Sequence, residues 1–274
     1  MAGTEREMLA DEVSRARRDG VGKAGNLPFF TAANGSKAAV LLVHGFSASP
    51  WEMRPLAGDL AKRGFASLAV RLPGHGTSPE DLAEKRFEDW LDTVLRGFDL
   101  LAGHFPRVYG AGLSTGALLV LALARQRQPR GAILLSPYLR LRHQLAPFAG
   151  WLRHVKPYQH RPLSGVEASY YYERRPLAGV HQINRLMRHL ARGLGEITAP
   201  VLAIHGEGDR TVDIDSGRDL VERLGSRIKV YERLGPDTPH VLTGAHNPQR
   251  DAVFDLIGKF MAEMESQSCR LESR

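Results

Sequence analysis

Cysteine is almost missing from this chain. The one present, Cys269, sits near a polar C-terminus. A single thiol excludes an internal disulfide and any metal site built from several cysteines. Long apolar runs are missing too. No stretch approaches the roughly 20 residues that a membrane-spanning helix requires. Residues 1–18 mix acidic and basic side chains around no apolar core, so they do not read as a secretory signal, and the cytoplasm is the expected compartment. There is no internal repeat, no low-complexity tract and no nucleic-acid-binding motif.

Acidic residues are scarce in one region in particular. Between Tyr138 and Gly195 ten basic residues (Arg140, Arg142, Arg153, Lys156, Arg161, Arg174, Arg175, Arg185, Arg188 and Arg192) face only Glu167 and Glu173. That segment therefore carries +8, against +7 for the whole chain. Two readings follow. The plain one is a solvated, Arg-rich surface. The other is weak attraction to an anionic membrane surface, which salt would screen. In either case the arginines are expected on the outer face, because an unpaired buried charge is costly.

What is present alternates between strand-like and helix-like segments, the pattern of a mostly parallel central sheet with helices on both faces. Apolar runs at residues 38–43, 65–70, 107–111, 131–135, 201–205 and 228–231 read as strands. Residues 52–63, 87–101, 117–125 and 253–264 carry apolar residues at helical spacing. The rhythm breaks at residues 138–195, which hold Pro147, Pro157, Pro162 and Pro176 and are too long for an ordinary connection. The expected organisation is an N-terminal extension over 1–26, a core over 27–137 and 196–265, a helical cap inserted at 138–195, and a tail over 266–274. Phe148, Trp151, Leu152, Tyr170, Tyr171 and Tyr172 are the candidates for an apolar substrate-binding lining under that cap; the plainer alternative is that they pack the cap onto the sheet.

The residues that carry chemistry begin with Gly112-Leu113-Ser114-Thr115-Gly116, between a strand and a helix. Glycines two before and two after a serine permit a turn too sharp for side chains, which raises the hydroxyl above the sheet at a helix N-terminus. A serine needs a base, and the base needs an orienting acid. In this sheet architecture the order along the chain is serine, acid, histidine, each on a loop beyond a strand. Asp209 follows the strand ending at His205, with Glu207, Asp213 and Asp215 as competing carboxylates. His240 follows the last strand. Phe46, in the loop after the first core strand, and Thr115 are the expected backbone donors of an oxyanion hole. His44 and His75 precede the serine in the chain and read as structural. No cofactor and no metal is called for.

Val40-Leu41-Leu42-Val43-His44-Gly45-Phe46, Met53-Arg54-Pro55-Leu56-Ala57, Arg71-Leu72-Pro73-Gly74-His75-Gly76-Thr77 and Tyr172-Glu173-Arg174-Arg175-Pro176 resemble the bacterial monoacylglycerol lipases and their carboxylesterase relatives within the α/β-hydrolase superfamily. The resemblance runs from about Leu27 onward. It implies an α/β-hydrolase fold and cofactor-free hydrolysis of carboxylic esters of medium-chain to long-chain acyl groups, with a small lipid or ester as substrate. It carries Ser114, Asp209 and His240 as triad and Phe46 and Thr115 as oxyanion donors. A lysophospholipase, thioesterase or acyltransferase would use the same triad, and a non-catalytic hydrolase-fold binding protein is the alternative from another class. Two departures bear on the preferred ester. Thr115-Gly116-Ala117 stands where relatives have Met or Leu and a second Gly, and Thr238-Pro239 precedes His240. The oligomeric state is not legible.

Overall fold

The structure, a computed structural model, describes residues 2–163 and 165–272. The side chain of Cys269, on which the thiol argument rests, and residues 273–274 of the expected tail lie outside the described part. The chain opens with α1 (Ala2–Arg18), then β1 (Phe29–Thr31), β2 (Ala38–Val43), α2 (Arg54–Lys62) and β3 (Ala66–Val70). Next come α3 (Pro79–Glu84), α4 (Phe87–Ala102), β4 (Arg107–Leu113), α5 (Thr115–Gln126) and β5 (Ala132–Leu135). Residues 138–195 hold α6 (Ala149–Leu152), β6 (Tyr158–His160), β7 (Arg174–Pro176) and α7 (Leu177–Ala191). The chain then returns to β8 (Val201–Gly206), α8 (Ile214–Glu222), β9 (Lys229–Leu234) and α9 (Arg250–Glu272).

Seven strands form one sheet in the order β1-β3-β2-β4-β5-β8-β9. Only β1 runs antiparallel to its neighbour. The order reverses direction at β2, so the chain builds outward on both sides of the sheet centre. Strand side chains alternate between faces. Leu41 and Val43 of β2 therefore join Trp90, Val94 and Phe98 of α4, while Val40 and Leu42 join Leu56 and Leu60 of α2 and Ile257 and Met261 of α9. Both faces are dry, which is why β2 reads as an unbroken apolar run.

The segment over 138–195 is not uniform. α7 presses Ile183, Leu186 and Leu190 into the same cluster as α4 and α5, so it is part of a core layer. The stretch before it holds the short α6 and a separate two-stranded antiparallel sheet, β6 with β7. Several boundaries differ from the sequence expectation. β1 is a three-residue, half-buried edge strand, too short to give a periodic signal. Residues 50–53 form a 3-10 turn, and α2 begins only at Arg54. The closing helix runs on to Glu272, through most of the expected tail.

The junction of β4 and α5 is the tightest place in the fold. A Cβ on Gly112 would lie 2.3 Å from the carbonyl carbon of Gly116, and one on Gly116 would lie 2.2 Å from the Val43 carbonyl oxygen. Neither backbone can retreat, since both strands are central. Gly116→Ala should therefore destabilise by about 3 kcal/mol or more, or prevent folding. Gly58→Ala, in α2 with nothing within 4 Å of the new methyl, should instead stabilise by about 0.5–1 kcal/mol. Urea unfolding of both variants checks the contrast; a mild effect at Gly116 would contradict the close approach.

Candidate active site

The turn at the end of β4 places Ser114 at φ 57°, ψ −117°, a conformation that ordinary residues avoid. Its amide donates to the Leu135 carbonyl at 2.7 Å, and its own carbonyl accepts from Ala117 at 2.9 Å. These bonds hold the strained residue in place. The side chain is left at the N-terminus of α5, where the helix dipole favours negative charge.

The three sequence-predicted side chains meet. The Ser114 hydroxyl lies 2.9 Å from His240 Nε2, and His240 Nδ1 lies 2.5 Å from Asp209 Oδ2. With Asp209 ionised, Nδ1 must carry the proton, which leaves the Nε2 lone pair facing the hydroxyl. Asp209 is fully buried, and its other oxygen accepts from the backbone of Thr211 at 2.7 Å and of Val212 at 3.1 Å. Burial raises the pKa of this carboxyl, but the His240 contact and the two N–H donors outweigh it and hold it below the usual aspartate value.

Two of the three competing carboxylates are occupied elsewhere. Asp213 caps α8 by accepting from Asp215 and Ser216 and pairs with Arg140 at 2.8 Å. Glu207 pairs with Arg233 at 3.0 Å. His240 is also held from behind: the Ser136 hydroxyl donates to its carbonyl at 2.9 Å. Ser136 was legible only as a non-acidic residue after β5; its use as an anchor depends on a contact across 104 residues. The buried histidines have backbone partners. His44 Nδ1 donates to the Gly45 carbonyl while Nε2 accepts from Leu72, and burial lowers its pKa to about 4. Burial likewise lowers His205 to about 4, with Nε2 donating to the Pro137 carbonyl at 2.6 Å.

Phe46 follows Gly45 in the loop after β2, and Thr115 opens α5. The Gly45 N–H is already spent, donating to Glu52 Oε2 at 2.6 Å. The other Glu52 oxygen accepts from the Tyr171 hydroxyl at 2.7 Å. Glu52 is buried, and desolvation raises its pKa despite both donors. Sequence reasoning gave Glu52 no role beyond the start of a helix; a buried acid has no local signature when its partners come from distant loops. The Thr115 hydroxyl is within 3.0 Å of the Tyr138 hydroxyl.

A cavity of about 490 Å³ opens beside Ser114. Phe46, Leu141, Leu145, Leu177, Val180 and Ile183 supply much of its apolar wall. Of the six expected lining residues, Leu152 and Tyr171 border it. The other four do not. Phe148 and Trp151 are 61% and 68% exposed and border a second, outer cavity. The reason is helical phase: Ala149 is buried, Leu152 lies one turn on, and Trp151 projects from the opposite side. Tyr170 stacks on Trp51 at 4.4 Å. Tyr172 points into the Gly74 loop, accepting from the Thr77 amide at 2.7 Å and donating to the Gly74 carbonyl at 2.9 Å. The expectation that the arginines lie outside also fails in part. Arg161 and Arg175 are half-buried and border the cavity, whereas Arg142 and Lys156 are exposed at its edge; partial contact with solvent lowers the cost for the half-buried pair.

The Glu52 contact makes a prediction. Tyr171→Phe should lower stability by about 1–3 kcal/mol, because a buried carboxylate loses a donor. The sign with pH follows from the raised pKa. Stability linked to neutral Glu52 is full below about 4.5, its unfolded value, and is lost as pH rises through the folded value. Removing the hydroxyl raises that folded value further, so the deficit of the variant should be larger at pH 8 than at pH 5. Urea unfolding at both pH values checks this; an equal deficit would mean that Glu52 does not ionise against Tyr171.

Comparison with known proteins identifies the family. The family model for the alpha/beta hydrolase family matches residues 40–256. The chain is similar to the thermostable monoacylglycerol lipase of Bacillus sp. (strain H-257), 31% identical over 227 residues, with 80% of this chain and 88% of that protein covered. It is also similar to a carboxylesterase of Bacillus subtilis (strain 168), 25% identical over 244 residues, covering 86% of this chain and 96% of the relative. The crystal structure of the Paleococcus ferrophilus monoacylglycerol lipase shares the fold at a TM-score of 0.74 and 20% identity, over 86% of this chain and 98% of that one. The chain is therefore a hydrolase and belongs to the alpha/beta hydrolase family.

Proposed function

We propose that this protein is a serine ester hydrolase of the monoacylglycerol lipase or carboxylesterase type, with Ser114 as nucleophile, His240 as general base and Asp209 as orienting acid. The observation that carries the reading is the hydrogen-bonded chain from Asp209 through His240 to Ser114 on a strained turn beside an apolar-walled cavity. The two curated relatives carry the same class of name. Residues 138–195 act as the cap, and the cavity wall of Leu141, Leu145, Val180 and Ile183 suits a medium-chain to long-chain acyl group.

The chemistry runs in two balanced halves. Ser114 Oγ attacks the ester carbonyl carbon as its proton passes to His240 Nε2. The carbonyl oxygen becomes an oxyanion facing the N–H groups of Phe46 and Thr115. Collapse breaks the bond to the alcohol, which leaves with the proton from His240. An acyl-serine remains. Water then gives its proton to His240 and attacks the acyl carbon, and the second collapse returns a proton to Ser114 and releases the acid. Asp209 holds the imidazole orientation throughout and stabilises its charged form.

Ser114→Ala should lower kcat/KM on 4-nitrophenyl esters by roughly a million-fold and abolish labelling by a fluorophosphonate probe, with an unchanged melting curve. Asp209→Asn should cost roughly ten-thousand-fold and Asp213→Asn little, since Asp213 caps α8 instead. Retained activity in Ser114→Ala, or the reverse ranking of the aspartates, would overturn the assignment.

The substrate reaches this site in the cytoplasm or at a membrane surface. Phe148, Trp151 and Val155 are 61%, 68% and 71% exposed in the same stretch as Arg153 and Lys156, which supports weak docking on anionic lipid. Among the described residues no helix is long and apolar enough to cross a membrane. Binding to anionic vesicles at low salt, lost at high salt and absent with neutral vesicles, is the expected result; equal binding to both would rule out the charge component.

A further inference from the structure

Part of the cavity wall supplied by residues 138–195 is cationic, and the pattern is set by strand register. In the two-stranded sheet Gln159 pairs with Arg175, and His160 pairs with Arg174. Side chains alternate along each strand, so Gln159 and Arg175 share one face, and Arg161, two residues past Gln159, continues that face. All three border the cavity beside Ser114. The opposite face carries Arg174 over the Tyr158 ring at 4.8 Å, with an ion pair from Arg174 to Glu80.

Arg161 and Arg175 are half-buried, and among the described residues neither has a carboxylate within ion-pair distance. The other arginines of the segment show that partners were available. Arg140 pairs with Asp213, Arg174 with Glu80 and Arg185 with Glu88. Glu52 also borders the cavity, but its two oxygens are taken by Gly45 and Tyr171. Arg142, Lys156 and Arg210 add three exposed cations at the cavity edge. The Arg175 side chain donates from Nε to the Ser47 hydroxyl at 3.1 Å, which fixes it next to the Phe46 loop. Burial and the neighbouring Arg161 both lower the Arg175 pKa, to about 10. Two guanidinium groups and an amide on one face of a sheet are a donor set that can recognise an oxyanion.

We propose that Gln159, Arg161 and Arg175, presented by one face of the two-stranded sheet, form a subsite for an oxyanion, carboxylate or phosphate, carried by the ester substrate. The apolar wall takes the hydrocarbon part of the same molecule, so the preferred substrate is an amphipathic anionic ester. This rests on the esterase reading above.

The test compares matched pairs on the full chain. One pair is 4-nitrophenyl hexanoate against the mono-4-nitrophenyl ester of adipic acid, which places a carboxylate on the acyl side. The other is 1-lauroylglycerol against 1-lauroylglycerol 3-phosphate, which places a phosphate on the alcohol side. In at least one pair the anionic ester should show kcat/KM roughly tenfold to hundredfold above its neutral partner, mainly through KM. That ratio should fall roughly tenfold in Arg161→Gln and in Arg175→Gln. Melting curves confirm folding, and Arg161, which has no side-chain hydrogen bond among the described residues, provides the second variant if loss of the Ser47 contact unfolds Arg175→Gln. The pair that responds identifies which side of the ester bears the charge. Turnover of the neutral esters with no anionic preference in either pair, or a preference that neither variant alters, overturns the subsite alone. No turnover of any ester overturns the esterase reading and the subsite with it.

Discussion

Two backbone approaches hold the site together. Gly112 and Gly116 face each other across the turn, and Gly116 in turn packs on the carbonyl of Val43, the last residue of β2. β2 leads directly into the loop bearing Phe46. The serine and the loop opposite it are therefore indexed by backbone contact, with no side chain between them to adjust. Ser114 pays for this with a disfavoured conformation that costs about 1–3 kcal/mol. The burial of α5, whose Leu118, Leu119, Leu121 and Leu123 are fully enclosed, offsets that cost.

A second set of constraints ties residues 171–175 to the same loops. Tyr171 reaches Glu52 and through it Gly45; Tyr172 reaches Gly74 and Thr77; Arg175 reaches Ser47. Each contact joins residues more than ninety positions apart, except the one within the loop. The wall of the cavity and the Phe46 loop are thus parts of one polar network. Buried networks of this kind are sensitive to the loss of any member, because the group left behind has no water to turn to.

The electrostatics divide by depth. Behind His240, Asp209 is an acid kept ionised by its donors. Beneath the Phe46 loop, Glu52 is an acid whose ionisation burial opposes. At the cavity wall the balance is positive. Only the first of these belongs to the hydrogen-bonded chain that ends at Ser114; the second holds the loop through Gly45, and the third sets the charge of the cavity wall.

The sequence by itself determined the sheet, the main helices and the Ser114, Asp209 and His240 set. Each had a local signature: an apolar run for a strand buried on both faces, helical spacing for α4, paired glycines for the turn, and a position just past a strand for the acid and the histidine. It did not determine which residues of 138–195 face the cavity. Tyr170, Tyr171 and Tyr172 are identical letters, yet one stacks on Trp51, one binds Glu52 and one binds the Gly74 loop. Nor did it reveal Glu52, Ser136 or the face shared by Gln159, Arg161 and Arg175. Those roles come from partners far away in the chain, from the phase of a four-residue helix and from the register of a three-residue strand pair. Elements that short leave no period to read, so only the tertiary structure decided where their side chains point.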